Sequence, residues 1–223
     1  MREQAEVLFQ SLIHWAAKNP IPDLNWVERE ETQFGVAPSH WKGFPRDIEV
    51  LKDLQEIDFS KNDFTEIPEG IGLLKSLQVM DLSRNSLYNL PNNIQLLSFL
   101  KDIDLGKNQF TEFPMVLTEV KSLEILNLAY NKIEKIPSKI EQLVNLKELY
   151  IPLNNLTEIP NEIGKLSKLS VLHLYGNSLT TLPEEICELR NLKRLFLAEN
   201  KFVFSQEQEE WLESLRSNSC EVA

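Results

Sequence analysis

The chain has 223 residues, of which 42% are apolar and 26% charged, which is ordinary for a folded domain. Its formal net charge of −11 argues against nucleic acid and against anionic membrane surfaces as partners, because both are bound by basic faces. The sequence contains neither an apolar run long enough to cross a bilayer nor the continuous apolar segment of a secretory signal.

Residues 1–50 predict an N-terminal cap. Apolar side chains recur at helical spacing over residues 4–17, with polar residues on the opposite face. Residues 28–50 match, in decayed form, the repeating unit that follows, with Phe34 and Val36 at its strand positions. We therefore expect a capping helix and then a degenerate repeat.

Residues 51–204 contain seven copies of a 23-residue unit, L-x-x-L-x-x-L-x-L-x-x-N-x-L-x-x-L-P-x-x-I-x-x, the last one truncated. A fixed period in this range is typical of stacked structural units. Within the third unit, Ile103 and Leu105 alternate with acidic residues, which predicts a short strand. Pro114 then fixes φ and donates no hydrogen bond, so the return arm is not a strand. The units run the same way, which predicts a parallel sheet on the inside of a curve.

One asparagine recurs in every unit, and we interpret it as structural. Asn carries two donors and an acceptor, so at a buried turn it can bond to the backbone of its own unit and of its neighbour. The column consists of Asn62, Asn85, Asn108, Asn131, Asn154, Asn177 and Asn200.

Residues 205–223 predict a C-terminal capping helix and a tail. Ser205 and Gln208 form a capping-box pattern, and Trp211 and Leu215 follow at helical spacing. Such a helix covers the core that the last unit of a solenoid would otherwise expose. We expect the last residues, about 217–223, to lie outside the fold.

The repeated Leu, Asn and Leu-Pro-x-x-Ile positions resemble those of leucine-rich-repeat proteins over about residues 28–204. The unit is similar to the 23-residue class shared by Ras-suppressor-like and Scribble-like animal proteins, plant intracellular proteins and many bacterial ones. The resemblance implies an α/β right-handed solenoid with a curved parallel sheet on its concave face, here with helical caps at both ends. It also implies that the asparagine column forms a structural ladder.

The sixth, eighth and tenth positions of each unit are expected to point into the concave face, with the eleventh at its edge. In the N-terminal units the eighth position is acidic, and we call these residues the acidic column: Asp58, Asp81 and Asp104. Lys61, Arg84 and Lys107 lie at the eleventh positions beside it. The column is either a solvated, charge-balanced surface or a site for a basic partner.

The C-terminal half of the same face is aromatic and apolar, although the core positions are already filled by Leu and Ile. Exposed aromatic clusters mark protein interfaces. We call the predicted binding residues here the aromatic patch, which consists of Tyr130, Tyr150, Leu153, Val171, His173, Tyr175 and Phe196. Pro152 cannot donate to a strand ladder and predicts a local irregularity beside the patch.

The residues favour neither a metal site nor an enzyme. Calcium needs oxygen ligands that converge to about 2.3–2.6 Å, whereas parallel side chains on a ladder diverge. His173 has no nucleophile or glycine-rich oxyanion loop beside it, and the chain has only seven Gly and no phosphate-binding motif. We therefore expect no catalytic residues and no cofactor.

The sequence predicts a monomeric module that binds a protein partner on its concave face, as an adaptor or a bacterial effector-like protein. The partner is expected to present a basic patch and an apolar anchor. A regulatory subunit or inhibitor of one enzyme is the alternative, and an enzyme is a distant third. With only Cys187 and Cys220, a reducing, cytoplasmic location is expected, including delivery into a host cell for an effector. A signal removed from the chain would instead indicate secretion.

Overall fold

The computed structural model describes residues 7–12, 14, 18, 26–27 and 53–223. Residues 7–12, 14 and 18 are helical, within or next to the helix predicted over 4–17. Phe9 and Leu12 of this helix are buried and join the core of the repeats. The predicted degenerate repeat, 28–50, lies outside the described residues.

The described residues form one sheet of nine short strands in sequence order. They are β1 (Trp26–Val27), β2 (Glu56–Asp58), β3 (Val79–Asp81), β4 (Asp102–Asp104), β5 (Ile125–Asn127), β6 (Glu148–Tyr150), β7 (Val171–His173), β8 (Arg194–Phe196) and β9 (Glu221–Val222). Strands β2 to β9 are parallel, and β1 pairs antiparallel with β2. The predicted parallel sheet of a right-handed solenoid is confirmed.

The return arms are short 3-10 helices, each entered through the proline of the unit. They span Glu69–Leu73, Asn92–Leu96, Met115–Glu119, Ser138–Gln142, Asn161–Lys165 and Glu184–Glu188. Each preceding proline is extended, with φ between −67° and −75°, which the pyrrolidine ring favours. Between the sheet and these helices the unit's Leu, Ile and Phe residues form one continuous core.

Buried asparagines join neighbouring units. The Asn131 side-chain amide donates to the carbonyls of Leu105, Leu128 and Ala129 at 3.0, 3.1 and 3.3 Å, and its Oδ1 accepts from the Phe110 N–H at 3.1 Å. Asn85, Asn108 and Asn154 repeat this pattern. The predicted structural role of the column is confirmed by these bonds, because each amide satisfies backbone groups of two units.

The C-terminal end is closed by helix α1 (Gln206–Ser217) and by β9. Both halves of the capping box are present, since Ser205 accepts from the Gln208 N–H and the Gln208 side chain accepts from the Ser205 N–H. The expectation that the last residues lie outside the fold is wrong. They continue the sheet, with the Glu221 N–H donating to Lys193 O and the Ala223 N–H to Leu195 O. The physical reason is that β8 otherwise leaves an edge of unpaired backbone groups.

Candidate functional site

The concave face is built by the register of the parallel strands. Within each strand from β2 to β8 the middle residue is buried, which leaves its two neighbours to point out of the sheet. Because strands pair every 23 residues, equivalent positions lie in straight columns across the face. The eighth positions of the units form one such column, from Asp58 on β2 to Phe196 on β8.

At the C-terminal end of this face lies an open depression of about 460 Å³, which we call the aromatic depression. It is lined by Tyr130, Pro152, Leu153, His173, Tyr175, Phe196, Ala198 and Ala223. Five residues of the predicted aromatic patch are therefore brought together around one space. The other two, Tyr150 and Val171, do not line it.

His173 is at the centre of the aromatic side chains. Its ring centroid lies 4.6 Å from that of Phe196, 6.2 Å from that of Tyr150 and 6.4 Å from that of Tyr175. Burial lowers the pKa of His173, and the Arg194 charge lowers it further. The imidazole is therefore neutral at pH 7 and adds no charge to the depression.

Tyr130 and Leu153 line the depression from a left-handed backbone position, with φ of 56° and 54°. Gly176 has the equivalent position in the next unit, and glycine adopts this conformation most readily. The Tyr130 ring is 51% exposed and carries the ammonium of Lys107 at 4.8 Å from its centroid. A large, exposed ring at a position that suits glycine is not required by the core.

A polar network explains why Val171 is not available. In register, Val171 lies between Glu148 on β6 and Arg194 on β8. Arg194 reaches back to Glu148 at 3.7 Å and to the Tyr150 hydroxyl at 3.2 Å, and the same hydroxyl donates to Glu148. The network thus spans β7 at the level of Val171, which is only 2% exposed. The expectation that Val171 presents surface to a partner is therefore wrong, and Tyr150 is held by its hydroxyl rather than free.

The acidic column is partly structural. The Asp58, Asp81 and Asp104 carboxylates each accept from the backbone N–H two residues later, at 2.8, 2.8 and 2.7 Å. This side-chain bond satisfies the N–H at the tenth position, which is therefore not part of the strand ladder. Asp104 uses its second oxygen as well, for the Asn127 amide at 2.9 Å. Within the part of the chain that the structure describes, the second carboxylate oxygen of Asp58 and of Asp81 has no hydrogen-bond partner.

The same bond explains Pro152. It occupies the tenth position of its unit, where the ladder needs no donor, and so a proline is tolerated there. Leu153 N–H still donates to Tyr175 O at 2.9 Å, and β6 and β7 stay in register. The predicted irregularity at Pro152 is wrong for this reason. The eighth position of that unit is Tyr150, and the unit has no tenth-position N–H for it to accept from.

Sequence reasoning missed Asp102, which lies on β4 beside the acidic column. Burial, followed by the charges of Asp104, Glu148 and Asp81, raises its pKa to about 6. The pKa of Asp104 is also raised, chiefly by burial, although its bonds from Gly106 and Asn127 oppose the shift. The signal in the sequence was the spacing, since 23-residue register places Asp81, Asp104 and Glu148 around Asp102.

Two further observations concern the described residues as a whole. Among the residues that the structure describes, no group of three or more His, Cys, Asp or Glu side chains is placed to hold a metal ion. In the same described ranges, none of the helices combines the length and apolar character that a bilayer-spanning segment requires. What the arrangement offers chemically is an aromatic depression at one end of the face and a carboxylate surface at the other.

A family model described as a leucine-rich repeat region matches residues 44–156 and 135–220. No curated protein matches the chain.

Solved structures are similar over most of this chain but extend well beyond it. The ectodomain of the membrane receptor kinase GASSHO1/SCHENGEN3 from Arabidopsis thaliana, in complex with CASPARIAN STRIP INTEGRITY FACTOR 2, is 30% identical over 70% of this chain and 20% of its own, with a TM-score of 0.62. The plant peptide hormone receptor RGFR1, in complex with RGF2, is 29% identical over 71% of this chain and 27% of its own, with a TM-score of 0.60. A leucine-rich-repeat protein of Leptospira interrogans is 32% identical over 80% of this chain and 57% of its own, with a TM-score of 0.49.

Proposed function

Because the chain belongs to the leucine-rich-repeat family, we propose that it is a protein-interaction module that binds a protein partner on the concave face of its sheet. The observation that carries the proposal is the aromatic depression. It gathers Tyr130, His173, Tyr175 and Phe196 around about 460 Å³ of open space on that face. Pockets of this size lined by aromatic side chains accept one or two apolar groups of a ligand.

The fold does not need these rings. The core is complete without them, since Leu149, Leu172 and Leu195 are fully buried beneath the depression on β6, β7 and β8. Tyr130 and Tyr175 remain 51% and 36% exposed. Tyr supplies a large contact area at low entropic cost, which is why it is enriched among the residues that dominate binding energy. The depression therefore supports an apolar anchor in the partner.

The acidic column supports a basic patch in the same partner. Asp58 and Asp81 each keep a carboxylate oxygen free, and the whole chain has a formal net charge of −11. Complementary charge outside the central contact raises the association rate and makes it depend on salt. We therefore assign affinity to the depression and steering to the acidic column.

The two plant receptors with similar folds are each in a complex, one with CASPARIAN STRIP INTEGRITY FACTOR 2 and the other with RGF2. The second, RGFR1, is a peptide hormone receptor, and this supports a protein or peptide as the partner of this chain. This chain spans only about a fifth to a quarter of those receptors. We propose that it acts as a monomeric, cytoplasmic adaptor or effector-like protein. Its two cysteines, Cys187 and Cys220, are both free, which supports a reducing compartment.

The test compares matched aromatic variants. Tyr175→Ala removes a ring that lines the depression. Tyr88→Ala is the control, because it removes the same kind of side chain, 65% exposed, from a position that does not line the depression. Ala198→Trp fills the depression from an exposed position and leaves the core intact. Partners are captured with wild-type protein, and the purified partner is then measured against each variant by surface plasmon resonance.

We expect Tyr175→Ala and Ala198→Trp each to weaken partner binding by about 2 kcal/mol, mainly through faster dissociation, and Tyr88→Ala to leave it unchanged. Circular dichroism melting confirms that the variants are folded. Wild-type affinity for both depression variants would contradict the assignment of the concave face. Loss of binding in Tyr88→Ala alone would indicate that the partner binds the surface around Tyr88 and not the depression.

A further inference from the structure

The aromatic depression and the free carboxylates lie along one line. His173 and Phe196 in the depression and Asp58 and Asp81 in the acidic column all occupy the eighth position of their units, which the register aligns across the sheet. A partner that used both would cross the strands at right angles. The line is fixed by backbone hydrogen bonds from β2 to β8 and does not depend on side-chain rotamers.

The distance along this line follows from the strand count. Asp81 is on β3 and His173 is on β7, which is four steps away in the sheet. Neighbouring strands lie about 4.8 Å apart, so the two positions are separated by roughly 19 Å. An extended polypeptide advances about 3.3 Å per residue and covers that distance in about six residues. An α-helix advances about 1.5 Å per residue and needs about thirteen.

The surface between the two ends is suited to a chain that passes over it. On β5 the eighth position is Asn127, whose amide is already bonded to Asp104, and the tenth position is Ala129. On β6 the Tyr150 hydroxyl is tied into the network with Glu148 and Arg194. On β4 the Asp104 carboxylate also accepts at both oxygens, from the Gly106 N–H and from the Asn127 amide. Along the eighth-position line, the carboxylate oxygen nearest the depression that is open to a partner therefore belongs to Asp81.

We infer that the concave face takes a single extended segment of its partner, with a large aromatic or aliphatic side chain in the aromatic depression and Lys or Arg about six residues away, over Asp81 and Asp58. This inference rests on the proposed function and specifies its partner. The free carboxylate oxygens of Asp81 and Asp58 favour a basic residue at one end of the partner segment. The apolar lining of the depression favours an apolar side chain at the other end. The stretch of the line between them, from Asp104 to Tyr150, is already hydrogen-bonded within the protein and sets the spacing, because neither contact alone buries a large area.

The experiment uses synthetic, end-blocked fluorescent peptides of one composition. Each carries a Lys-Arg-Lys cluster and one Trp, separated by Ser-Thr spacers that place Trp two, six or twelve residues from the cluster, in both chain directions. Fluorescence anisotropy against the full chain gives each Kd. In the better direction, the six-residue spacing is expected to bind at least about tenfold tighter than the two-residue spacing, which is too short to reach both ends. The twelve-residue spacing reaches with slack and is expected within about threefold of the six-residue one.

The protein variants locate the two contacts. Asp81→Asn removes the charge but keeps the side-chain oxygen that accepts from Ser83 N–H, as Asn127 does natively for Ala129 N–H. Both Asp81→Asn and Ala198→Trp are expected to reduce the tenfold advantage of the six-residue spacing to less than about twofold. Tyr88→Ala, outside the face, is expected to retain the full advantage.

The outcomes separate this inference from the proposed function. Equal affinity at two and six residues, or an advantage at twelve residues alone, would overturn the extended segment. If no peptide binds while Ala198→Trp still blocks the captured partner, the spacing inference fails and the proposed function stands. If the captured partner binds Ala198→Trp as it binds wild type, the proposed function fails with it.

Discussion

Replacing Asn131 by alanine tests how neighbouring units are held together. Asn131 is 8% exposed and its side chain makes four bonds to the backbone of two units. The three carbonyls that it serves are not orphaned by its loss. Leu105 O keeps the Asn108 amide, Leu128 O keeps the Asn154 amide, and Ala129 O keeps the Lys107 N–H. In the alanine variant, the buried N–H of Phe110 is the group that loses its partner.

The expected cost therefore corresponds to one buried unpaired donor and not to four hydrogen bonds. Leaving a buried N–H without a partner costs about 1–3 kcal/mol, and we expect the free energy of unfolding to fall by that amount. The assay is urea denaturation followed by circular dichroism, where the midpoint falls at unchanged slope. Amide hydrogen exchange gives a local measurement, in which the Phe110 N–H loses protection first.

Asn145→Ala is the matched control. Its amide donates to Lys121 O at 2.8 Å and its oxygen accepts from Lys168 Nζ at 2.7 Å, but both bonds are exposed to solvent. Water replaces exposed partners, so we expect a change within about 0.5 kcal/mol. Equal midpoints for Asn131→Ala and wild type would show that the Phe110 N–H is not left unpaired at a cost. A fall in the free energy of unfolding several times larger than about 1–3 kcal/mol would show that more than one group loses its partner.

Two further predictions concern the cap and the acidic surface. Deleting residues 205–223 removes helix α1 and β9 and uncovers the core beneath Leu195 and Leu197. We therefore expect aggregation or a lower urea denaturation midpoint. A product that is monomeric in size-exclusion chromatography and has the wild-type midpoint would contradict this. Burial and neighbouring carboxylates raise the folded-state pKa of Asp102 from 3.8 to about 6, so its charge destabilises the fold above pH 6 and not below about pH 4. Asp102→Asn is therefore expected to have a higher urea midpoint than wild type at pH 7.5, with the difference lost near pH 4; a constant difference across that range would show that Asp102 does not titrate as described.

The elements predicted from the 23-residue period agree with the structure, because neighbouring strands pair residues that are also 23 positions apart in the sequence. The alternation around Ile103 predicts β4, and the Asn column predicts the ladder that joins the units. Ser205 and Gln208 predict the start of helix α1, since a capping box depends on four consecutive residues. Each of these features depends on neighbouring residues or on the strict repeat, and it can therefore be predicted from the sequence.

The aromatic patch was predicted in outline and revised in detail. The columns placed Tyr130, Leu153, His173, Tyr175 and Phe196 on one face, and the structure gathers these five around the aromatic depression. Counting columns treats every outward position as open. Whether a side chain stays open depends on which of its neighbours are long enough to meet above it.

The repeat, the parallel sheet, the asparagine ladder and the two ends of the concave face follow from the amino-acid sequence alone, because a strict period converts spacing into register. Three details depend on the folded structure. Arg194 and Glu148 meet across β7 and bury Val171, and the tenth-position N–H bonds to its own unit's side chain and so admits Pro152. The chain end folds back as β9 against β8. The first and third depend on contacts between side chains or strands that no period encodes, since they are set by reach, charge and the need of an open sheet edge for partners. The second is a local bond, but the stacking of the units decides that the tenth-position N–H lies outside the strand ladder.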